Sequence, residues 1–167
     1  LNNCEIHHNQ ATIGGGGIAV WGGNVLLNNC EIHQNEATGN GGGLAITGSG
    51  DVTLNHCDIH HNQATFTGIY GVGLSGGGLA IIGGDVTINN CEIHHNDAAD
   101  GSGAYIETGL IAILHTSFRS NSEVTGLSYN VYALEFRSTT RPTTPLTNVS
   151  FIDNEGGRSF KSTQHVL

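Results

Sequence analysis

Acidic and histidine side chains recur together at regular spacing along the first two thirds of this chain. Glu-Ile-His or Asp-Ile-His occurs four times, in NNCEIHHNQAT (2–12), NNCEIHQNEAT (28–38), NHCDIHHNQAT (55–65) and NNCEIHHNDAA (89–99). In an extended segment, side chains alternate between two faces, so the acid and the histidine share one face and the isoleucine takes the other. Two stacked histidines with a carboxylate match the ligand preferences of zinc or copper.

Two interpretations of this face are open. The first is a divalent-metal surface, with Glu31, His33, Asp58, His60, Glu92 and His94 as candidate ligands. The second is a solvated face, whose opposite partial charges offset one another and whose histidines gain charge below about pH 6.5. We favour the solvated face, because flat strands hold the residues too far apart for tight tetrahedral coordination at every level. We therefore expect no cofactor beyond incidental uptake of a divalent metal.

The repeat that carries these residues also predicts the architecture. Its cysteines, Cys4, Cys30, Cys57 and Cys91, are separated by 26, 27 and 34 residues. Six copies, two of them degenerate, close on Asn9, Asn35, Asn62, Asn96, Asn121 and Asn154. A unit this short cannot bury its own apolar residues, so the copies must stack on one another.

Three short runs with apolar residues at every second position lie in each unit, which indicates strands and not helices. We predict an all-β fold, a right-handed parallel β-helix with three short strands per coil and about six coils. We expect residues 1–167 to form a single β-helix, as a piece of a longer protein. Residues 1–121 would hold the regular repeats and 122–167 degenerate, irregular or capping coils. Insertions near 66–75 and 126–145 fall where a loop can bulge without breaking the stack.

The cysteine and asparagine columns have structural interpretations. Each cysteine alternates with an isoleucine and points inward, and Thr116 and Val149 replace it in later copies. Adjacent coils allow disulfides by their Cα distance, but parallel strands in register hold the Cβ atoms about 4.8 Å apart, beyond the usual range. Free thiols are therefore favoured. The asparagine amides can bond to one another and to the backbone of a turn.

The third strand of each coil predicts a different outer face, built from small or apolar residues. They are Ala19, Trp21, Ala45, Thr47, Ala80, Ile82, Tyr105 and Glu107. Such a face suggests a contact surface, with Trp21, Ile82 and Tyr105 as its candidate binding residues. Alternatively, the 66–75 insertion, with Phe66, Ile69 and Tyr70, folds over it.

Charge and hydropathy exclude some partners. Residues 1–118 contain ten carboxylates and no Lys or Arg, so we expect no nucleic-acid partner. No apolar run approaches the 18 residues or so of a transmembrane helix, and we expect no membrane span in this fragment.

Glycine runs followed by an aliphatic residue, GGGI (15–18) and GGGL (41–44 and 76–79), precede FRSN (118–121) and FIDN (151–154). This alternation resembles the repeats of the polymorphic outer-membrane proteins, which pair a GGA[ILVY]-type tetrapeptide with FxxN. The first four copies read IHHN or IHQN in place of FxxN. The resemblance implies the extracellular β-helical passenger of an autotransporter, often an adhesin.

We therefore expect a non-enzymatic rod at the cell surface or outside the cell, acting as an adhesin or as a structural or filament component. Its partner would be a protein or glycan on a cell surface, or another copy of itself. The alternative is a polysaccharide lyase or glycoside hydrolase of the β-helix class. Such enzymes set unique acids and bases in a groove, whereas the outward acids here are repetitive.

Overall fold

The structure, a computed structural model, describes residues 1–65, 76–107, 110–122, 134–136, 146–154 and 160–162. Every regular element within these ranges is a β-strand, and every pairing between strands is parallel. The strands form four sheets that run along a stack of coils, which confirms the predicted fold class.

Three sheets correspond to the three predicted strands of each coil. The second-strand sheet contains β1 (Glu5–His7), β5 (Glu31–His33), β9 (Asp58–His60), β13 (Glu92–His94), β17 (Ser117–Arg119) and β20 (Ser150–Ile152). The third-strand sheet contains β3 (Ile18–Val20), β7 (Leu44–Thr47), β11 (Leu79–Ile82), β15 (Ala104–Glu107), β18 (Leu134–Phe136) and β21 (Phe160–Ser162). The first-strand sheet contains β4 (Val25–Asn28), β8 (Val52–Asn55), β12 (Val86–Asn89), β16 (Ile111–Leu114) and β19 (Leu146–Thr147).

A fourth, shorter sheet was not predicted. It contains β2 (Gln10–Ala11), β6 (Glu36–Ala37), β10 (Gln63–Ala64) and β14 (Asp97–Ala98). Each of these strands has two residues, too few for an alternating pattern to be recognised. Together with the three longer strands, they give the coils from β4 to β15 four strands each.

The register places equivalent residues of successive copies directly over one another. Glu5 pairs with Glu31 and His7 with His33, and His33 pairs in turn with His60. The 66–75 insertion lies outside the described residues, as does 126–145 except at β18. Each repeated side chain therefore belongs to a column that runs along the stack.

The core lies between the sheets and is built from the inward residues of the alternating runs. Ile32, Ile59 and Ile93 are completely buried beside the valines and leucines of the other two sheets. Burying an aliphatic side chain contributes about 1.5–3 kcal/mol. This column of isoleucines fixes which residues of the second strand face outward.

The predicted cysteine column lies in the same core, and all four cysteines are free thiols. Cys30, Cys57 and Cys91 are buried, whereas Cys4, at the first coil, is partly exposed. The contact with Cys57, together with burial, raises the pKa of Cys91, and burial raises the pKa of Cys30. The thiols serve as small core residues.

The predicted asparagine column is confirmed and is bonded along its length. The Asn62 side-chain nitrogen donates to Asn96 Oδ1 at 3.0 Å and to the Ile32 carbonyl at 2.8 Å. Asn62 Oδ1 accepts from the backbone and side-chain nitrogens of Asn35 at 3.1 and 3.0 Å. The same side-chain link joins each consecutive pair from Asn9 to Asn154.

The glycine runs have a packing role beside this column. A Cβ at Gly43 would lie 3.0 Å from Asn62 Cγ and 2.8 Å from the Gly78 carbonyl oxygen. Only a residue without a side chain lets the backbone approach the amides this closely. The glycine run and the asparagine are therefore two halves of one packing arrangement.

Candidate functional site

Four histidine rings form a continuous stack on the outer face of the second-strand sheet. His7, His33, His60 and His94 have ring centroids 5.0, 4.9 and 4.9 Å apart along the column. Neighbouring rings are within 9–11° of parallel. The spacing follows from the register, because neighbouring parallel strands lie about 4.8 Å apart.

The carboxylates form a row beside this stack, and each one pairs with the basic side chain of the following coil. Glu5 Oε1 lies 3.1 Å from His33 Nε2, and Glu31 Oε1 lies 3.0 Å from His60 Nε2. The next two contacts are Asp58 with His94 at 2.9 Å and Glu92 with Arg119 at 3.1 Å. These diagonal pairs tie each coil to the next.

The solvated face expected from the sequence is wrong for most of this histidine column. The His33, His60 and His94 side chains are only 12%, 15% and 9% exposed. They are in contact with a second column, formed by His8, Gln34, His61 and His95. His61 packs perpendicular to His60, and His95 perpendicular to His94, with centroids 5.0 Å apart. The alternation gave the direction of each side chain but not what covers it.

This second column was missed because it falls at a corner, outside the alternating run. His8, Gln34, His61 and His95 have φ between 52° and 57°, in the left-handed region that few residues other than glycine adopt. The turn directs each side chain back toward the preceding histidine. The repeated dipeptide His-His, replaced once by His-Gln, was the available signal.

The two columns and the carboxylates form hydrogen-bonded relays. A carboxylate only accepts, so His60 Nε2 carries the proton that is donated to Glu31. In the neutral ring, His60 Nδ1 then accepts from His61 Nδ1, which lies 2.8 Å away. His94 and His95 repeat the contact at 2.7 Å. In this arrangement the outer histidine keeps its Nε2 lone pair.

The relay and its burial shift several pKa values downward. Partial burial is the main cause that lowers the pKa of His95, and the nearby charges of His94, Arg119 and His60 lower it further. Burial alone would raise the pKa of Asp58, but the close contact with His94 and the nearby charges of His60 and Arg119 hold it below its usual value. Both shifts favour the folded state near neutral pH.

Of the six candidate metal ligands, the structure brings three together. Glu31, His33 and His60 have ligand atoms within 4.8 Å of one another. Asp58 and His94 form a pair. Glu92 binds the guanidinium of Arg119, a cation in place of a further imidazole.

The candidate contact face on the third-strand sheet is divided. Trp21 is 73% exposed and Ile82 is partly buried, and both line a shallow cleft of about 120 Å³. Ala80 and Tyr105 are completely buried, so Tyr105 is not part of an exposed face. Its hydroxyl donates to Glu107 at 2.9 Å. The alternation predicted the outward direction of Tyr105 but not its covering, and the 66–75 insertion proposed as that covering lies outside the described residues.

The sequence model of a protein family, described as right-handed beta helix region, matches residues 1–157. The chain belongs to the right-handed β-helix family. No curated protein and no solved structure matches this β-helix.

The chemistry available on this β-helix differs between its faces. On the second-strand sheet, each described acid from Glu5 to Glu92 pairs with a base of the next coil. Beside the third-strand sheet, Trp21 and Ile13 expose large apolar side chains. The described part of the β-helix contains no helix able to cross a membrane.

Proposed function

We propose that this β-helix is a non-enzymatic rod outside the cell that binds a partner through the cleft beside Trp21. The observation that carries the proposal is the exposure of Trp21 and Ile13, at 73% and 70%, which both line this cleft. Large aromatic side chains are enriched among the residues that dominate binding energy. Exposing these two apolar side chains to water is unfavourable, and a bound partner would bury both of them.

The composition of the cleft favours an uncharged glycan as the partner. Its floor is formed by the small side chains of Ala19 and Ala45 beside Thr47. Asn40 Oδ1 also lies at the cleft, buried and without a hydrogen-bond partner. An apolar floor with a few polar groups is typical of small-ligand sites. A sugar ring in the cleft would place its apolar face on Trp21.

Charge supports an uncharged partner over an acidic one. Residues 1–118 carry ten carboxylates and no Lys or Arg. A surface of one sign repels a partner of the same sign. A uronate polymer would therefore be disfavoured, while a neutral sugar chain meets no such barrier.

The acid and histidine columns support binding in preference to catalysis. General acid–base chemistry on a glycosidic bond needs two carboxyl groups in different environments, one of them holding a proton. Here Asp58 is held ionised by its His94 partner, because that contact lowers its pKa. The same pairing recurs from coil to coil, as expected of residues that join coils.

The family resemblance suggests a setting for this rod. The GGGI, GGGL, FRSN and FIDN segments are similar to those of autotransporter passengers, many of which are adhesins. A passenger domain of this kind would display the Trp21 cleft at the cell surface.

Trp21 allows a direct test, because it is the only tryptophan in the chain. Neutral oligosaccharides, acidic oligosaccharides and rising concentrations of the chain itself should each be titrated while tryptophan emission and acrylamide quenching are recorded. We expect a neutral sugar to shift the emission to shorter wavelength and to protect the ring from quenching. Trp21→Ser and Ile13→Ser should lower the affinity of labelled chain for the same sugar by about tenfold.

Leu26→Ser is the matched control, because Leu26 is an exposed apolar residue, 51% exposed, on the first-strand sheet. It should leave binding unchanged. A loss of binding in Leu26→Ser equal to that in Trp21→Ser would refute the Trp21 cleft. Protection that depends only on chain concentration would replace the glycan with a second copy of the chain.

A further inference from the structure

We propose that Glu31, His33 and His60 bind a divalent transition-metal ion of the zinc type, which fastens the second coil to the third. The three side chains supply two imidazole nitrogens and one carboxylate oxygen, a set that favours Zn²⁺, Ni²⁺ or Cu²⁺ over Mg²⁺ or Ca²⁺. This inference is independent of the Trp21 cleft.

The oxygen already lies between the two nitrogens. Glu31 Oε1 is 3.0 Å from His60 Nε2 and 3.9 Å from His33 Nε2. All three ligand atoms lie within 4.8 Å of one another. Metal–ligand distances of about 2.0–2.1 Å require tetrahedral ligand atoms about 3.3 Å apart. The two ring tips must therefore tilt toward each other. The Glu31 oxygen is already in range of His60 Nε2 and must move closer to His33 Nε2.

Differences between the coils favour metal binding at the level of Glu31 over the neighbouring levels. One coil earlier, Glu5 lies between His7 and His33, but the His7 side chain is 45% exposed and less firmly held. One coil later, the acid is the shorter Asp58, which contacts His94 at 2.9 Å. In the next coil, Arg119 takes the place of histidine. The level of Glu31 thus combines a long carboxylate with two packed imidazoles.

The second column supplies the partners that metal-bound histidines need. A histidine that binds a metal through Nε2 donates its Nδ1 proton to a neighbouring acceptor. His33 Nδ1 lies 3.1 Å from Gln34 Oε1, which accepts that proton. His60 Nδ1 lies 2.8 Å from His61 Nδ1. When metal replaces the proton on His60 Nε2, the proton moves to Nδ1 and is donated to His61, whose own proton moves to its Nε2.

Zinc binding to the full chain tests the proposal. Metal-free protein at pH 7.5 should be titrated with Zn²⁺ by calorimetry, and its melting temperature measured with and without Zn²⁺. We expect one ion per chain and a higher melting temperature when the site is saturated. Glu31→Gln and His60→Gln should each weaken binding by about tenfold or more and remove the thermal shift.

His7→Gln and His94→Gln are the controls, since they change the same column at the neighbouring levels. Both should retain Zn²⁺ affinity within about twofold of the wild-type chain. Circular dichroism establishes that each variant is folded, and Glu31→Gln, which alters an exposed carboxylate, guards against loss of folding in His60→Gln. Binding that is absent below millimolar Zn²⁺, or lost equally in His7→Gln and His60→Gln, would overturn the proposal.

Discussion

Replacing Asn62 with alanine is expected to destabilise the rod by about 3 kcal/mol, because it breaks the amide column at its centre. Asn62 is 1% exposed. Its loss removes the acceptor shared by the backbone and side-chain nitrogens of Asn35 and the donor to the Ile32 carbonyl. Each buried group left without a partner costs about 1–3 kcal/mol. Urea unfolding followed by circular dichroism measures the change.

Asn55→Ala is the matched control for this experiment. Asn55 also bonds to an asparagine of the preceding coil, with its side-chain nitrogen 3.0 Å from Asn28 Oδ1. It lies on the outside of the first-strand sheet and is only partly buried, so water replaces the lost bond. We expect a change within about 0.5 kcal/mol. Equal destabilisation by the two substitutions would mean that the Asn62 column is not the main link between coils.

Acidification is expected to weaken the rod, beginning below about pH 6.5. The pKa of His95 is lowered in the folded chain, mainly by burial. Between the folded and unfolded pKa values, the unfolded chain binds the extra proton, so stability falls as the pH falls. The pKa of Asp58 is also lowered. Its contribution is present above its unfolded pKa of about 3.9 and is lost as the pH falls through the folded value.

Melting temperatures between pH 8 and pH 4, with EDTA present, test this prediction. The wild-type chain should melt at a lower temperature at pH 5.5 than at pH 7.5. His95→Gln should show a smaller decrease, because Gln34 shows that glutamine is accommodated at the equivalent corner. A melting temperature that rises on acidification, or the same pH dependence in both proteins, would contradict the assigned His95 shift.

The sequence was sufficient for the architecture, because the same few residues recur at nearly constant spacing. A column of Asn35, Asn62 and Asn96 follows from their recurrence alone, and so does the inward direction of Ile59. The two-residue strands such as β10 were not predictable, because two positions cannot show an alternation.

The outer surface was harder to predict, because the direction of a side chain does not determine its burial. Tyr105 and Trp21 both occupy outward positions in the alternating pattern of the third strand, yet one is completely buried and the other is 73% exposed. The corner position of His61 similarly depends on a positive φ, which the strand pattern does not contain. Long-range packing and local backbone conformation decide these cases.

The most direct test of a binding function, as opposed to cleavage, is the length of the sugar chain after prolonged incubation with the protein. Neutral and acidic polysaccharides should be incubated with the wild-type chain and their molar mass and new reducing ends measured. We predict unchanged chain length for every polymer, with retention of a neutral polymer that is lost in Trp21→Ser. Shortened chains, with cleavage abolished by Asp58→Asn or Glu92→Gln, would contradict the account and establish a β-helix lyase or hydrolase.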